Sequence, residues 1–407
     1  MIRPEGWEKH PLEKLATFQT GISKSSNRTG RMVSIPYLRV ANVQDGYIDL
    51  REIKEIDVPE SMTERYLLSP LDVLMTEGGD FDKLGRGSVW QGEISPCAHQ
   101  NHVFVVRPDR AKLLPYFLSY QTGSAYGKNY FVRCSKQSTN LASINLSQLK
   151  GFPVLLPPVP EQQSIVAILS TWDEAIEKLE KLIAAKHRRK QGLMQRLLTG
   201  RFQLAAFRNQ PWRKRDLGEF FTEHRTINKS GEELTILSCS KIYGIIPQSE
   251  VFGKRLASKD LGRYKIVGKG DLVYDPMLLW DASIGFSERV DRGVISPAYA
   301  TFHFRPGKGD WRFFRHLFQT HYMKHQYKVI SRGTNVRRRK AMPEDFLRVA
   351  VRMPTTTEEQ GRIAGILGDA DLQIRLLEAQ RDALQTQKRG LMQKLLTGQW
   401  RVAVEGN

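Results

Sequence analysis

One stretch of this chain is written twice. Residues 161–200 read EQQSIVAILSTWDEAIEKLEKLIAAKHRRKQGLMQRLLTG, and residues 359–398 read EQGRIAGILGDADLQIRLLEAQRDALQTQKRGLMQKLLTG. The copies align without a gap at an offset of about 198 residues, and roughly half of the positions are identical. A long internal repeat fixes architecture before local propensity is weighed: here the chain divides into two halves, each a mixed segment of roughly 155 residues followed by a long helix.

Both copies carry a heptad stripe. Ile165, Leu169, Trp172, Ile176, Leu179 and Ile183 step by four and three residues. Ile363, Leu367, Ala370, Ile374 and Leu377 follow in the same register, continued by Leu384, Leu391 and Leu395. This period predicts long amphipathic helices. Pro157, Pro158 and Pro160 give the first a stiff approach. Thr357 with Gln360 reads as a capping box for the second, and Gly200 and Gly398 stand at the C-cap positions. At 1.5 Å per residue, a helix of about 40 residues is about 60 Å long. One such helix cannot bury its own stripe, so the two copies are expected to pack on each other as an intramolecular coiled coil.

The stripe degrades toward its ends. Lys186, Lys190, Arg381 and Lys388 fall on seam positions, and Gly192 and Gly390 interrupt both helices. Two readings stay open. Either the helices fray locally or long side-chain stems lie over apolar neighbours, or else the seam changes partner near GLMQ-[RK]-LLTG. In the second case Met194, Leu197, Leu198, Met392, Leu395 and Leu396 face another subunit.

With 62 Lys+Arg against 43 Asp+Glu in 407 residues, the formal net charge is +19. That favours a polyanionic partner, nucleic acid first and an acidic membrane second. A length of 407 residues suits two or three domains with real cores, and a hydrophobic fraction of 40% is ordinary for a soluble protein. The opening MIRPEGWEKH lacks the apolar core of a signal peptide, and no apolar run approaches the roughly 18 residues of a membrane span. Cys97, Cys134 and Cys239 have no zinc spacing and suit a reducing compartment. A cytoplasmic location without a membrane partner is the expectation.

The mixed segments, 1–156 and 201–353, repeat one plan loosely. Pro211-Trp212 answers Gly6-Trp7, and Gly270-Asp271-Leu272-Val273 answers the strand expected at Asp72. Ser296-Pro297 answers Ser95-Pro96, Arg305-Pro306 answers Arg107-Pro108, and Thr334-Asn335 answers Thr139-Asn140. So the helices stayed alike while the mixed segments diverged. Two near-identical helices offer equivalent surfaces to two copies of one partner. Two unlike domains offer two different recognition surfaces, and a rigid spacer can match their separation to the roughly 34–36 Å of a DNA turn.

Phosphates are held by Lys, Arg, hydroxyls and backbone N–H groups; base edges are read by Arg, Lys, Asn, Gln, Ser and Thr. The densest match is SRGTNVRRRK (331–340), with Arg332, Arg337, Arg338, Arg339 and Lys340 around Thr334 and Asn335 and no acidic residue. Its first-half counterpart, SKQSTN (135–140), offers Lys136, Gln137, Ser138, Thr139 and Asn140. GGDFDKLGRG (78–87) carries Lys83 and Arg86 on a glycine-rich loop, and Arg28, Arg31, Lys254 and Arg255 are outlying candidates. For each, the plain alternative is a solvated or helix-capping loop. Tyr243 and Trp280 are open to base stacking or to burial.

No catalytic site is expected. The chain has no Asn/Asp-Pro-Pro-Tyr/Phe run of the kind amino-methyltransferases use, and no glycine-rich cofactor loop follows a strand. GRYKIVGKG (262–270) has five residues between its glycines rather than the four of a phosphate loop, and Gly270 stands where Ser or Thr would bind magnesium. It reads as a turn before a strand. The nine histidines make no metal-ligand spacing. His321 and His325 lack the intervening Glu of a zinc-protease helix, and His99 and His102 near Cys97 read as core or surface residues. No resident metal or cofactor is expected.

The chain resembles the specificity subunits of type I restriction-modification systems over nearly its whole length. The strings that carry the resemblance are LPPVPEQQSIVAIL and MPTTTEEQGRIAGIL leading into the helices, GLMQRLLTG and GLMQKLLTG closing them, and TNLASINLSQLKGFPVLLPP before the first. TNVRRRKAMPEDF departs from the family's polar TN loop by being far more basic. The resemblance implies an α+β fold in which two mixed α/β target-recognition domains (1–156 and 201–353) alternate with two long helices (157–200 and 354–400) that pair as an antiparallel coiled coil, followed by a short tail (401–407). It also implies a non-catalytic subunit that selects double-stranded DNA at an asymmetric, bipartite site. Two modification subunits, which bind S-adenosylmethionine, would dock along the helices. Restriction subunits, where the system has them, would add ATP- and magnesium-dependent chemistry. A stand-alone DNA binder, an enzyme with an unrecognised site and a plain coiled-coil scaffold are the rival readings.

Overall fold

The computed structural model describes residues 4–23, 30–79, 84–137, 142–241, 244–252, 258, 260–333 and 339–403. The chain is mixed helix and sheet and divides into two compact units, 1–180 with 379–407, and 181–378. This division differs from the segment boundaries read from the sequence, because it cuts both long helices. Val159–Leu197 and Thr357–Leu395 are each continuous over 39 residues.

Each unit is built on a four-stranded antiparallel sheet of the same order. In unit 1 the strands are Ala16–Thr20, Val103–Pro108, Val73–Thr76 and Gly87–Val89; in unit 2 they are Phe221–Glu223, Ala300–Phe304, Leu272–Tyr274 and Ile284–Phe286. Val73–Thr76 is buried at every position, as a strand covered on both faces must be. A second sheet, three-stranded in unit 1 and four-stranded in unit 2, pairs Met32–Leu38 or Thr235–Ser240 with its neighbours. A two-stranded ladder ties the start of each mixed domain to its end, Glu8–Pro11 with Pro153–Leu156 and Arg213–Asp216 with Ala350–Met353. The long helix leaves directly from that ladder.

The repeated Glu-Gln pair at each helix start is explained by the same contacts in both units. Trp7 Nε1 donates to Glu161 at 3.1 Å, and Trp212 Nε1 donates to Glu359 at 3.0 Å. Gln162 accepts from Leu114 N at 2.9 Å, and Gln360 accepts from Asp310 N at 2.9 Å. A buried indole N–H needs an acceptor, and the helix's first turn is where a carboxylate is favoured. One difference separates the copies. Glu161 also receives Arg401 Nε at 2.8 Å and Nη2 at 3.0 Å, whereas Glu359 Oε2 is buried without a hydrogen-bond partner among the described residues. Burial pushes the Glu359 carboxyl above its usual range, against the Trp212 hydrogen bond.

The charged seam positions are paired rather than frayed. In unit 2, Lys190 Nζ lies 2.5 Å from Asp371, Lys186 Nζ donates to Gln373 at 2.9 Å, and His187 stands 3.4 Å from Glu378. In unit 1, Lys388 pairs with Asp173 and also lies over the Tyr120 ring. Asp173 and Asp371, and Lys190 and Lys388, occupy the same repeat positions. The one ion pair therefore recurs in each unit, with its helix segments antiparallel. Half-exposed pairs of this kind stabilise by about 0–1 kcal/mol; their larger effect is on register, as for polar seam residues generally.

The GLMQ-[RK]-LLTG ends correct an expectation. Leu197 and Leu198 are buried in the unit 2 core with Trp212, Phe220 and Leu367, and Met194 packs on it. Leu395 and Leu396 are buried in the unit 1 core with Trp7, Phe117 and Ile165, and Met392 packs on it. The four leucines are therefore not a face held out to another subunit, while Met194 and Met392 are half-buried: each helix ends inside the unit that the other helix begins. Gly398 shows how tight the fit is, because its φ is +68° and a Cβ there would lie 2.2 Å from Pro4 Cγ.

His99 is fully buried, its Nδ1 hydrogen-bonded to Val103 O at 2.8 Å. Burial lowers its pKa to about 4. The folded state thus refuses a proton that the unfolded chain accepts near pH 6.5, so stability is complete above that pH and is lost as pH falls toward 4. Between pH 7 and pH 4.5 the His99 contribution to acid destabilisation is expected to be about 2–3 kcal/mol. Urea unfolding of the wild type and of His99→Gln at both pH values reads it as a difference; equal pH dependence in the two proteins would contradict it.

Candidate nucleic-acid interface

In unit 1 the structure brings two separate sequence candidates together. Lys136–Gln137 and Ala142–Ser143 form a hairpin whose second strand pairs with Gly78–Gly79, the first residues of the glycine-rich loop. Glycine is required at position 78, where a Cβ would lie 2.3 Å from Ala142 O. The helix Ala125–Cys134, capped by Ser124, delivers the chain into the hairpin. A capping box between Asn145 and Gln148 takes it out. Lys83, Ser138, Thr139 and Asn140, and the side chains of Lys136 and Gln137, lie outside the described residues.

The remaining first-half candidates divide. Arg86 donates to Gln44 Oε1 at 2.9 Å and to Val40 O at 3.0 Å. It is a half-buried brace for the 40–46 turn rather than a free cation, which corrects its expected role. Arg31 is exposed and lies 3.6 Å from Glu60. Arg28 falls outside the described residues.

Unit 2 roots its basic loop similarly. Arg332 and Lys340 close it by two backbone hydrogen bonds of 3.1 and 2.9 Å. The next residue, Ala341, donates to Pro276 O at 2.9 Å and accepts from Tyr274 Oη at 3.3 Å. Arg332 is exposed and hydrogen-bonded to Asp345 at 3.0 Å; Arg339 is half-buried and Lys340 exposed. Thr334, Asn335, Arg337, Arg338, Lys254, Arg255 and Tyr243 lie outside the described residues. Trp280 is half-buried, with its N–H given to Met277 O at 2.9 Å. The 262–270 stretch is a strand, Lys265–Gly268, and a turn into the next strand.

One cluster was invisible in the sequence because its members are far apart. Asp271 is buried, and its oxygens face His303 Nδ1 at 2.8 Å and His224 Nε2 at 3.4 Å. Burial works to raise the Asp271 pKa, but the nearby His224 imidazole and the hydrogen bonds from the Gly268 N–H and His303 outweigh it and hold the carboxyl low. These three residues have the donor types of a metal site. Their geometry does not suit one. The imidazoles stack 3.7 Å apart at an interplanar angle of 3°, so an ion between them would sit outside both ring planes, where the nitrogen lone pairs do not point. As it stands the cluster is a hydrogen-bonded carboxylate.

Strand register shows what it replaces. Val73 faces Val106 in unit 1 and Leu272 faces Phe302 in unit 2, which makes His303 the counterpart of Arg107. The Arg-Pro match read from sequence, Arg107 with Arg305, is therefore displaced by two residues. In unit 1 the buried Asp72 receives Arg107 Nε at 2.7 Å and Nη2 at 3.0 Å. A guanidinium in one unit is thus a pair of imidazoles in the other.

Residues 4–187 match the family model of the type I restriction modification DNA specificity domain. That match spans somewhat under half of the chain and sets the class that the chain resembles, the DNA specificity domains of type I restriction modification systems. Over 98% of its length it is 25% identical to a putative type I restriction enzyme MjaX specificity subunit of Methanocaldococcus jannaschii, of which 95% is covered. In structure it is similar to a chain of a type I R-M system solved in work on complex assembly and conformational transition, with a TM-score of 0.61 at 18% identity, covering 98% of this chain and 100% of that one. It is also similar to the type I S subunit of M. genitalium, with a TM-score of 0.56 at 13% identity and 96% of each chain covered. At these identities the structural likeness shows the fold. Among the described residues no helix is long and apolar enough to cross a membrane.

Proposed function

We propose that the chain is the sequence-reading subunit of a type I restriction-modification complex, with its two mixed domains reading the two parts of an asymmetric, bipartite DNA site. One observation carries this reading. The units share a plan down to their Trp–Glu helix locks, yet the equivalent loops differ, SKQSTN in one and SRGTNVRRRK in the other. A duplicated frame with diverged loops suits two half-sites of different sequence. The long helices, as one antiparallel coiled coil, set the distance between the readers and dock two modification subunits. With the LLTG leucines buried, the surface left for docking is the outward helix faces, where Leu182, Leu372 and Leu376 stand exposed. S-adenosylmethionine belongs to those partners, and ATP with magnesium to restriction subunits where present. The adenine to be methylated leaves the base stack for the partner's pocket.

Base-resolution mapping of adenine methylation in the native host, with and without the gene, tests the proposal. Deletion is expected to abolish methylation of one bipartite motif. Replacing residues 1–156 by another such domain that accepts Leu395 and Leu396 is expected to change one half of the motif only. An unchanged methylome in cells expressing the gene and its neighbours would favour the stand-alone binder.

A further inference from the structure

The sequence singled out His321, His325 and Trp280 without giving them a use. The structure puts them on opposite walls of one groove in unit 2, a cavity of about 270 Å³ between the helix His321–Ile330 and the turn Leu279–Asp281. His321, Lys324, His325 and Lys328 recur at the spacing of one helical face, and all four are exposed. Several other cations of this unit are held by acids: Arg225 by Glu223, Lys269 by Asp291, Arg292 by Glu232, Arg312 by Asp310. Among the described residues, none of the four groove side chains has a hydrogen-bond or ion-pair partner. The acid on the facing wall, Asp281, is already neutralised by Lys241 at 2.8 Å. The indole N–H of Trp280 is taken by Met277 O, which leaves its ring as an apolar wall.

The groove is continuous with the basic loop at both ends. The helix runs within two residues into Arg332, and the loop's exit, Ala341, is hydrogen-bonded to Pro276, four residues before Trp280. From residue 321 to 328 the helix rises about 10 Å. That is room for at least two successive phosphates, which follow each other at about 3.4 Å of axial rise along one DNA strand.

Resting on the DNA-reading function above, we propose that this groove seats the DNA phosphodiester backbone, with Lys324 and Lys328 on successive phosphates and Trp280 against the intervening sugar. Phosphate contacts position a protein on the duplex and base contacts specify. The groove therefore fixes where the 331–340 loop meets the base edges, without selecting sequence itself.

The test is binding of the full chain to a random-sequence DNA duplex across a salt series. Each phosphate contact contributes about 0.9 to the slope of log affinity against log salt, so Lys324→Gln/Lys328→Gln should lower the slope by about 1.8 and weaken binding at 0.1 M salt by roughly 10- to 60-fold. Charge-keeping Lys324→Arg/Lys328→Arg should restore most of the slope. Lys214→Gln/Arg352→Gln removes two exposed cations from neighbouring strands of the same unit and should change the slope by less than half as much. Unchanged thermal midpoints show that the variants fold. A groove variant that keeps the wild-type slope, or a control pair that loses as much, overturns the groove. A wild type with no salt-dependent binding overturns the DNA-reading function, and the groove with it.

Discussion

Leu396→Ala is expected to loosen unit 1 and Leu198→Ala unit 2, a crossed pattern relative to the order of the chain. Leu198 follows the first mixed domain in sequence but is buried among Trp212, Phe220 and Leu367; Leu396 follows the second but is buried among Trp7, Phe117 and Ile165. Removing a buried leucine side chain costs about 2–5 kcal/mol, because transfer energy and an unfilled cavity add. Hydrogen exchange locates the damage. Amides of Val73–Thr76 should lose protection in Leu396→Ala, and those of Leu272–Tyr274 in Leu198→Ala. The uncrossed result, each variant loosening the domain just before it in sequence, would show that the helix ends do not pack as described.

Arg107→Met is expected to destabilise unit 1 by about 3–5 kcal/mol, the cost of leaving a buried charge without its partner. Asp72 is 3% exposed and takes two hydrogen bonds from the guanidinium, whose Nη2 also donates to Leu67 O; its other donor among the described residues is the Ser69 N–H. His303→Met, at the equivalent position of unit 2, should cost only about 1 kcal/mol. Asp271 keeps the Gly268 N–H at 2.7 Å and the nearby His224, and the lost imidazole was 56% exposed. Urea midpoints of the two single variants measure the contrast. Equal losses would mean that the imidazole pair holds its carboxylate as firmly as the guanidinium does.

The helices were legible because each is a repeat with a period. Ile165 to Ile183 and Ile363 to Leu377 show a seam whatever surrounds them, and Pro157 and Gly200 mark its limits. The duplicated plan was legible for the same reason: Asp72 and Asp271 begin the same strand. Tertiary pairing was not legible. Nothing local says that Leu396 belongs with Trp7, since a buried leucine reads the same whichever core receives it. Arg305-Pro306 imitated Arg107-Pro108 as a string, and only the ladder between Leu272 and Phe302 shows that His303 is the true counterpart. At the interface, sequence found the loops but not their proximity. The pairing of Ala142 with Gly79 joins residues more than sixty positions apart, and sequence spacing cannot reveal that Arg86 turns inward to Gln44. The groove cations were overlooked because a helix spacing of lysines and histidines, without its facing wall, is an ordinary wet surface.

The helix ends that enter each other's unit also set an order of events on the ribosome. Unit 2 is one uninterrupted stretch, 181–378, and can close as soon as it has emerged. The larger part of unit 1, 1–180, is made before unit 2, yet it waits for Leu395, Leu396 and Arg401, which are made after unit 2. At about 5–20 residues per second, the roughly 200 residues in between take some 10–40 s to synthesise. During that interval the earlier-made of the two units presents an open apolar slot to chaperones and proteases, and the later-made one finishes before it. A message cut short between the codons for Glu378 and Leu395 would therefore yield a chain whose second unit is whole and whose first never closes.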